Sequence, residues 1–487
     1  MSSAPKVSGL LLALAACASS PNPPPTETAT LGRAELLDPN TCKTCHPEHF
    51  RDWAASLHAY ASDDPVFRAM QRRGQRETGG MLGTFCLRCH APLAVRDGLL
   101  TGTEDLDSLT PAYRGITCAY CHSVDGVVAS HNNGLQNAEP QTMRGPIAEP
   151  LANPAHRSAW SPLHNRDRLE SSALCGSCHD VVTPPGAPLE RSFLEWQASV
   201  FNRAPGGTTC GQCHMPQGAA EAPVATAPGA PLRRAHSHLF PAVDLPLTPW
   251  PDLERLRVAS QAQLDKTLQL AVCVEKVGAA ARLAVILGNL AAGHGFPSGA
   301  ALDRRLWVEV VAQSGGQVTY ASGALADDAT VTDAADPDLW LLRDCGFDAA
   351  GKEVHMFWEV AKVVGNALPA QATFLPTDPR FYQSHRRAYY PRGGALLPTV
   401  PDAVSVRVRL QPVAREVLDD LVASGDLAPA LRARIQTWQV GQTLTWTAMT
   451  ATHTFVRDGI SLSCAAYGLD PRADTVPAVR LPHCAPE

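Results

Sequence analysis

Aromatic side chains make up only 6% of this 487-residue chain. That is little bulk for a core of such length, so something other than Phe, Tyr and Trp supplies part of the apolar filling. There is no basic stripe or arginine-rich tract, and the net charge is a mild −6, which excludes a nucleic-acid partner. Disorder is excluded by 45% hydrophobic and 18% charged residues. Long apolar runs are missing too. The stretch "VSGLLLALAA" after Lys6 is too short to span a bilayer and has the size of a signal-peptide core.

That stretch ends in Leu14-Ala15-Ala16-Cys17. The pattern resembles a bacterial lipobox, in which Cys17 is acylated and becomes the first mature residue; a plain secretion signal is the alternative. Acylation predicts lasting membrane attachment, because two or three chains hold where one does not. Ala18, not an aspartate, follows the cysteine. The expected destination is the outer membrane, facing the periplasm or the cell surface.

Four regions follow from composition. Residues 1–17 read as the lipoprotein signal, and 18–40 as a Pro/Thr-rich semi-extended tether. Residues 41–251 hold all repeats of one short motif. A Pro/Ala-rich stretch inside that block, "QGAAEAPVATAPGAPLRR", reads as a loop. From 252 to 487 the texture changes to short β-branched runs with turn signals: "LQLAVCVEK", "ARLAVILGN", "RRLWVEVVAQ", "QVTYASG", "VSVRVRLQP" and "TLTWTAM". This predicts a β-sandwich-like domain. One helical insertion, "VAREVLDDLVASGDLAPALRARIQTW", breaks around Gly425. The fold class is therefore α+β multidomain, with a mostly helical and loop N-terminal domain packed around cofactors.

The repeated motif is C-x-x-C-H. It occurs at Cys42/Cys45/His46, Cys86/Cys89/His90, Cys118/Cys121/His122, Cys175/Cys178/His179 and Cys210/Cys213/His214. This is the c-type haem attachment pattern. Two thiols three positions apart lie on one side of a helical turn and can both bond one porphyrin edge. The adjacent imidazole then faces the iron. A single C-x-x-C could be a redox disulfide or half a zinc site. Five in an exported chain, each followed by His, predict five covalently bound haem c groups. The porphyrins then account for the missing aromatic bulk.

Low-spin electron-transfer haems take a second axial ligand. Met215 abuts its own proximal His214 and cannot reach the far face, so histidines are the candidates. Here the chain resembles a known family. "CKTCHPEHFRDWAASLHAYA", "GITCAYCHSV", "MRGPIAEP", "AHRSAW", "SSALCGSCHDV", "EWQASVFNRAP", "TTCGQCHMP", "RAHSHLF" and "AGHGFPSGAALDRR" are similar to multihaem cytochromes c related to the tetrahaem cytochromes and hydroxylamine oxidoreductases of nitrogen metabolism. The resemblance spans about residues 41–305. It implies that the histidine of W-x-x-S-x-H, here His58 after Trp53 and Ser56, is a distal ligand to another haem.

His156 and His238 are the next candidates, with His164 and His236 as their understudies, and His131 follows them. His49, one turn after His46, reads as a surface residue. His355, His385, His453 and His483 are scattered through the second region. His294 sits in the small-residue loop "GNLAAGHGFPSGA". The loop leaves little bulk around the imidazole, and the haem block is short of ligands. His294 is therefore expected to reach from the β domain to a haem of the first. Cys273, Cys345, Cys464 and Cys484 allow up to two disulfides, with Cys464–Cys484 the first pairing to expect.

Electron transfer between redox protein partners is the leading reading. One rival is an oxidoreductase acting on a small nitrogen compound at one open haem. Against it, the C-x-x-C-K motif of nitrite reductases is missing and no crosslinking tyrosine signature can be placed. The other rival makes the β domain a partner-docking module served by a haem relay.

Overall fold

The computed structural model describes residues 31–332, 336–451, 453–457 and 460–467. Cys17, its leader, most of the tether, His483 and Cys484 lie outside the described residues. The fold is α+β, helices plus several sheets, and no described helix is long and apolar enough to cross a membrane.

Each C-x-x-C-H falls on a short helical turn, and local chemistry starts most of them. Asp38 caps the Pro39–Cys45 helix by accepting the Asn40 amide at 2.9 Å, with Pro39 preset for the first turn. Thr117 and Thr209 cap Cys118–His122 and Cys210–His214, the latter with Gln212 closing a capping box. The other two motifs lie at Leu87–His90 and within Ser172–His179. The longest helix among the motifs is Pro65–Glu77.

The stretch expected as a loop is instead a ribbon. Gln217–Pro223 pairs antiparallel with Leu232–His236, and its turn covers the first motif, with the Thr226 amide donating to the Cys45 carbonyl at 2.9 Å. Exposed Ala and Pro gave no alternation from which pairing could be read.

The C-terminal region holds two larger sheets. One runs in spatial order His385–Tyr390, Ala280–Gly288, Gln269–Val277, Ile460–Tyr467, His453–Arg457. The other runs Gln317–Ser322, Arg305–Ser314, Ala403–Gln411, Trp438–Thr447, with Trp340–Leu342 added against Arg305–Ser314. Alternate residues of both, such as Val272, Leu283, Val308 and Val406, share one buried apolar cluster, the packing of a sandwich. The helical insertion breaks as expected: Arg415–Ala423 ends, Gly425 takes φ +78°, and Pro429–Arg432 resumes. The Leu253–Thr267 helix was not anticipated; it packs against Trp438–Thr447.

One disulfide corrects the expected pairing. Cys464 bonds Cys273, not Cys484, because Gln269–Val277 and Ile460–Tyr467 are neighbours with these two residues directly opposed. Cys345 is also disulfide-bonded.

Candidate functional site: paired imidazoles among the attachment motifs

None of the ten motif cysteines is in a disulfide. Burial pushes the Cys86 and Cys121 thiols up to about 12. Thiols of different motifs adjoin one another: Cys42 meets Cys118, Cys89 meets Cys178, and Cys175 meets Cys210. Cys121 also lies close enough to Cys175 and Cys178 to act on both electrostatically. The motifs thus adjoin in the order first, third, fourth, fifth, with the second branching off the fourth.

Four of the five motif histidines face a second imidazole. His46 and His156 have ring centres 6.5 Å apart, His179 and His58 6.2 Å, His122 and His238 6.4 Å, and His214 and His294 6.5 Å. A first-row metal bonds an imidazole nitrogen at roughly 2 Å, and about 1 Å more reaches the ring centre, so two imidazoles sharing one metal sit about 6 Å apart. The observed spacings therefore fit an iron between each pair.

Tautomers agree. Nδ1 donates to a backbone carbonyl in His46 (Val224, 2.8 Å), His90 (Ala61, 3.0 Å), His122 (Arg144, 2.6 Å) and His214 (Pro241, 3.0 Å). It does so again in His156 (Arg157, 3.1 Å), His238 (His236, 2.9 Å) and His294 (Gly295, 2.8 Å). Such a bond leaves Nε2 free to ligate and aims the ring. Burial lowers the pKa to about 3 at His58 and His238 and to about 4 at His179, which holds these three rings neutral, the form that binds metal.

His164 shows the contrast. It lies 5.6 Å from His122, but the Cys121 carbonyl engages its Nε2 at 2.8 Å and its buried Nδ1 has no hydrogen-bond partner, the reverse of the orientation of His238.

Two expectations change. His131 is exposed in the turn after Val124–Ala129 and meets no motif histidine, although the Asn133 amide pins that turn to the fourth motif by donating to the Ser177 carbonyl at 2.6 Å. His49 is not a surface residue. It is half-buried, 5.0 Å from His238 and 6.0 Å from His46, and burial lowers its pKa to about 4.

His90 is the odd one out. Among the described residues the ring beside it is Phe67, stacked at 3.9 Å and 1°, and no imidazole opposes it. The sequence carried no signal for Phe67 or for the carbonyls that aim each ring.

Residues 41–123 match the model of the family described as "Cytochrome c554 and c-prime". Over 85% of its length the chain is similar in structure to a penta-heme cytochrome c552 from Thermochromatium tepidum, at 18% identity and a TM-score of 0.59, covering 99% of that chain. No curated protein matches. A c-type cytochrome family thus matches one segment of this chain, and a penta-heme cytochrome is similar to it in fold.

Proposed function

We propose that the chain is a pentahaem c-type cytochrome carrying single electrons between redox protein partners, exported and tied to the outer membrane through an acylated Cys17. The four opposed imidazole pairs carry this reading, since closed coordination on both faces suits transfer rather than substrate binding. In it, residues 41–251 hold the haems and 252–487 form the second domain. Haem iron supplies the one-electron chemistry when bound. The cysteine pairs would hold the haems covalently, with His46, His90, His122, His179 and His214 as the motif ligands and His156, His58, His238 and His294 as second imidazoles for four of them. The adjoining thiols support an order of transfer from the first motif through the third and fourth to the fifth.

A second reading rests on His90. With Phe67 beside it and no imidazole opposite, the second motif supports one open position at the end of a branch, where a small nitrogen compound would bind.

Electron paramagnetic resonance of the oxidised holoprotein tests both. Four low-spin bis-imidazole signals are expected; fewer than four overturns the ligand assignments. For the fifth haem, a high-spin signal that shifts on adding nitrite supports the second reading. Five low-spin signals unmoved by nitrite reject it.

A further inference from the structure

The small-residue loop around His294 is not free-standing. The Ser192–Ala198 helix of the attachment region meets it with one face. Ser192 Oγ accepts the Gly299 amide at 3.3 Å, and Glu195 Oε2 accepts the Gly295 amide at 2.9 Å. A Cβ at Gly293 would lie 4.0 Å from the Trp196 ring. From within the loop, the Asn289 amide group donates to the His294 carbonyl at 2.8 Å.

Glu195 sits at the centre of this contact. Its carboxylate lies so close to the loop that a Cβ at Gly295 would fall 2.7 Å from Oε2. Gly295 is therefore needed for the carboxylate's approach, not for backbone strain. Arg191 stands 3.5 Å from the Glu195 carboxylate and bonds Asp344 of the C-terminal region at 2.8 Å. The Gly295 carbonyl in turn takes the His294 Nδ1 proton. One residue of the loop thus carries both the Glu195 contact, through its N–H, and the imidazole contact, through its carbonyl.

The device recurs elsewhere. Asp52 Oδ2 accepts the His238 amide at 3.0 Å and the Ser237 hydroxyl at 2.8 Å. Asp52 is paired with Arg255 as Glu195 is with Arg191. In both places an arginine-paired carboxylate on an attachment-region helix grips the backbone of a loop that presents a histidine toward a motif imidazole.

We propose that Glu195 is a positioning residue: through the Gly295 amide it holds His294 opposite His214 and latches the C-terminal region to the haem of the fifth motif. The inference rests on the reading of His294 as a distal ligand. It assigns Glu195 no contact with iron or substrate.

The test uses the full-length holoprotein and the variants E195A, E195Q, G295A and H294A. E195A is expected to convert one haem in five from low-spin to a form that binds added imidazole, leaving the other four unchanged. E195Q keeps an oxygen acceptor for the Gly295 amide and is expected to restore the low-spin signal at that haem. G295A, which drives a Cβ into the same carboxylate, is expected to disturb the same haem from the other side. H294A separates the two ideas. If H294A alters one haem while E195A and G295A alter none, the positioning role is overturned. If H294A also leaves all five unchanged, the ligand reading falls, and the proposal with it.

Discussion

The two regions of this chain are filled in different ways. In the C-terminal region, twenty-eight buried residues form one apolar cluster between two sheets. The largest cluster confined to the attachment region has seven: Phe67, Leu87, Ala91, Ala94, Leu100, Leu106 and Leu109. Its motif helices run four to eight residues, too short to persist alone in water. What converges there instead is ten thiols, the five motif imidazoles and the four imidazoles that oppose four of them. The sandwich is held by ordinary burial, whereas the attachment region needs covalently bound flat groups to complete it.

The largest expected effect follows from that contrast. Protein made without haem attachment should lose most helical circular dichroism, and residues 41–251 should be digested by protease. The sandwich should survive as a protected fragment. A resistant, cooperatively melting apo attachment region would break the comparison.

This contrast also explains what could be read from sequence. Strands such as Arg305–Ser314 and Ala403–Gln411 announce themselves, because β-branched runs are a local signal. The attachment residues are equally local, fixed by the spacing of C-x-x-C-H. The distal ligands are not. His238 and His164 look alike in sequence, but His238 turns its Nδ1 to the nearby His236 carbonyl whereas His164 turns its Nε2 to the Cys121 carbonyl of a remote segment. His131 sits next to turn-forming Asn132 and Asn133, both with positive φ, and is exposed. Cys464 pairs with Cys273 across 191 residues because two strands at opposite ends of the domain become neighbours. His385–Tyr390 was missed because its two arginines hide the alternation, although both line a strand whose His385, Arg387 and Tyr390 are buried.

A smaller effect sharpens the comparison. Leu283 is fully buried in the sandwich cluster, and Leu283→Ala should cost about 2–5 kcal/mol, because a cavity remains where neighbours relax only in part. Urea unfolding followed by tryptophan fluorescence should show an earlier transition. On the proposed ligand assignment, haem absorbance should change in that transition only at the haem of the fifth motif. A change at all five would mean the two regions unfold as a single unit.

The smallest effect lies on the boundary between the regions. The Pro65–Glu77 helix sends Arg76 to both oxygens of Asp426, at 2.8 and 2.6 Å, while Arg73 meets Asp420. The Arg76 guanidinium bonding to Asp426 holds that carboxyl below its ordinary value, outweighing desolvation. A depressed native pKa contributes stability that is fully present above the ordinary carboxylate range and is lost as pH falls through the lowered value. Arg76 is half exposed, so solvent screens the pair and its contribution is small. Asp426→Asn should therefore flatten the acid limb of the pH–stability curve by that small amount and leave stability at neutral pH lower by about the same. The same helix also contributes Ala69 to an apolar cluster with Leu418 and Leu421, a contact that does not titrate. If Asp426→Asn removes several times this amount, charge rather than apolar packing holds the attachment region to the helical insertion, and the contrast between the regions ends at their border.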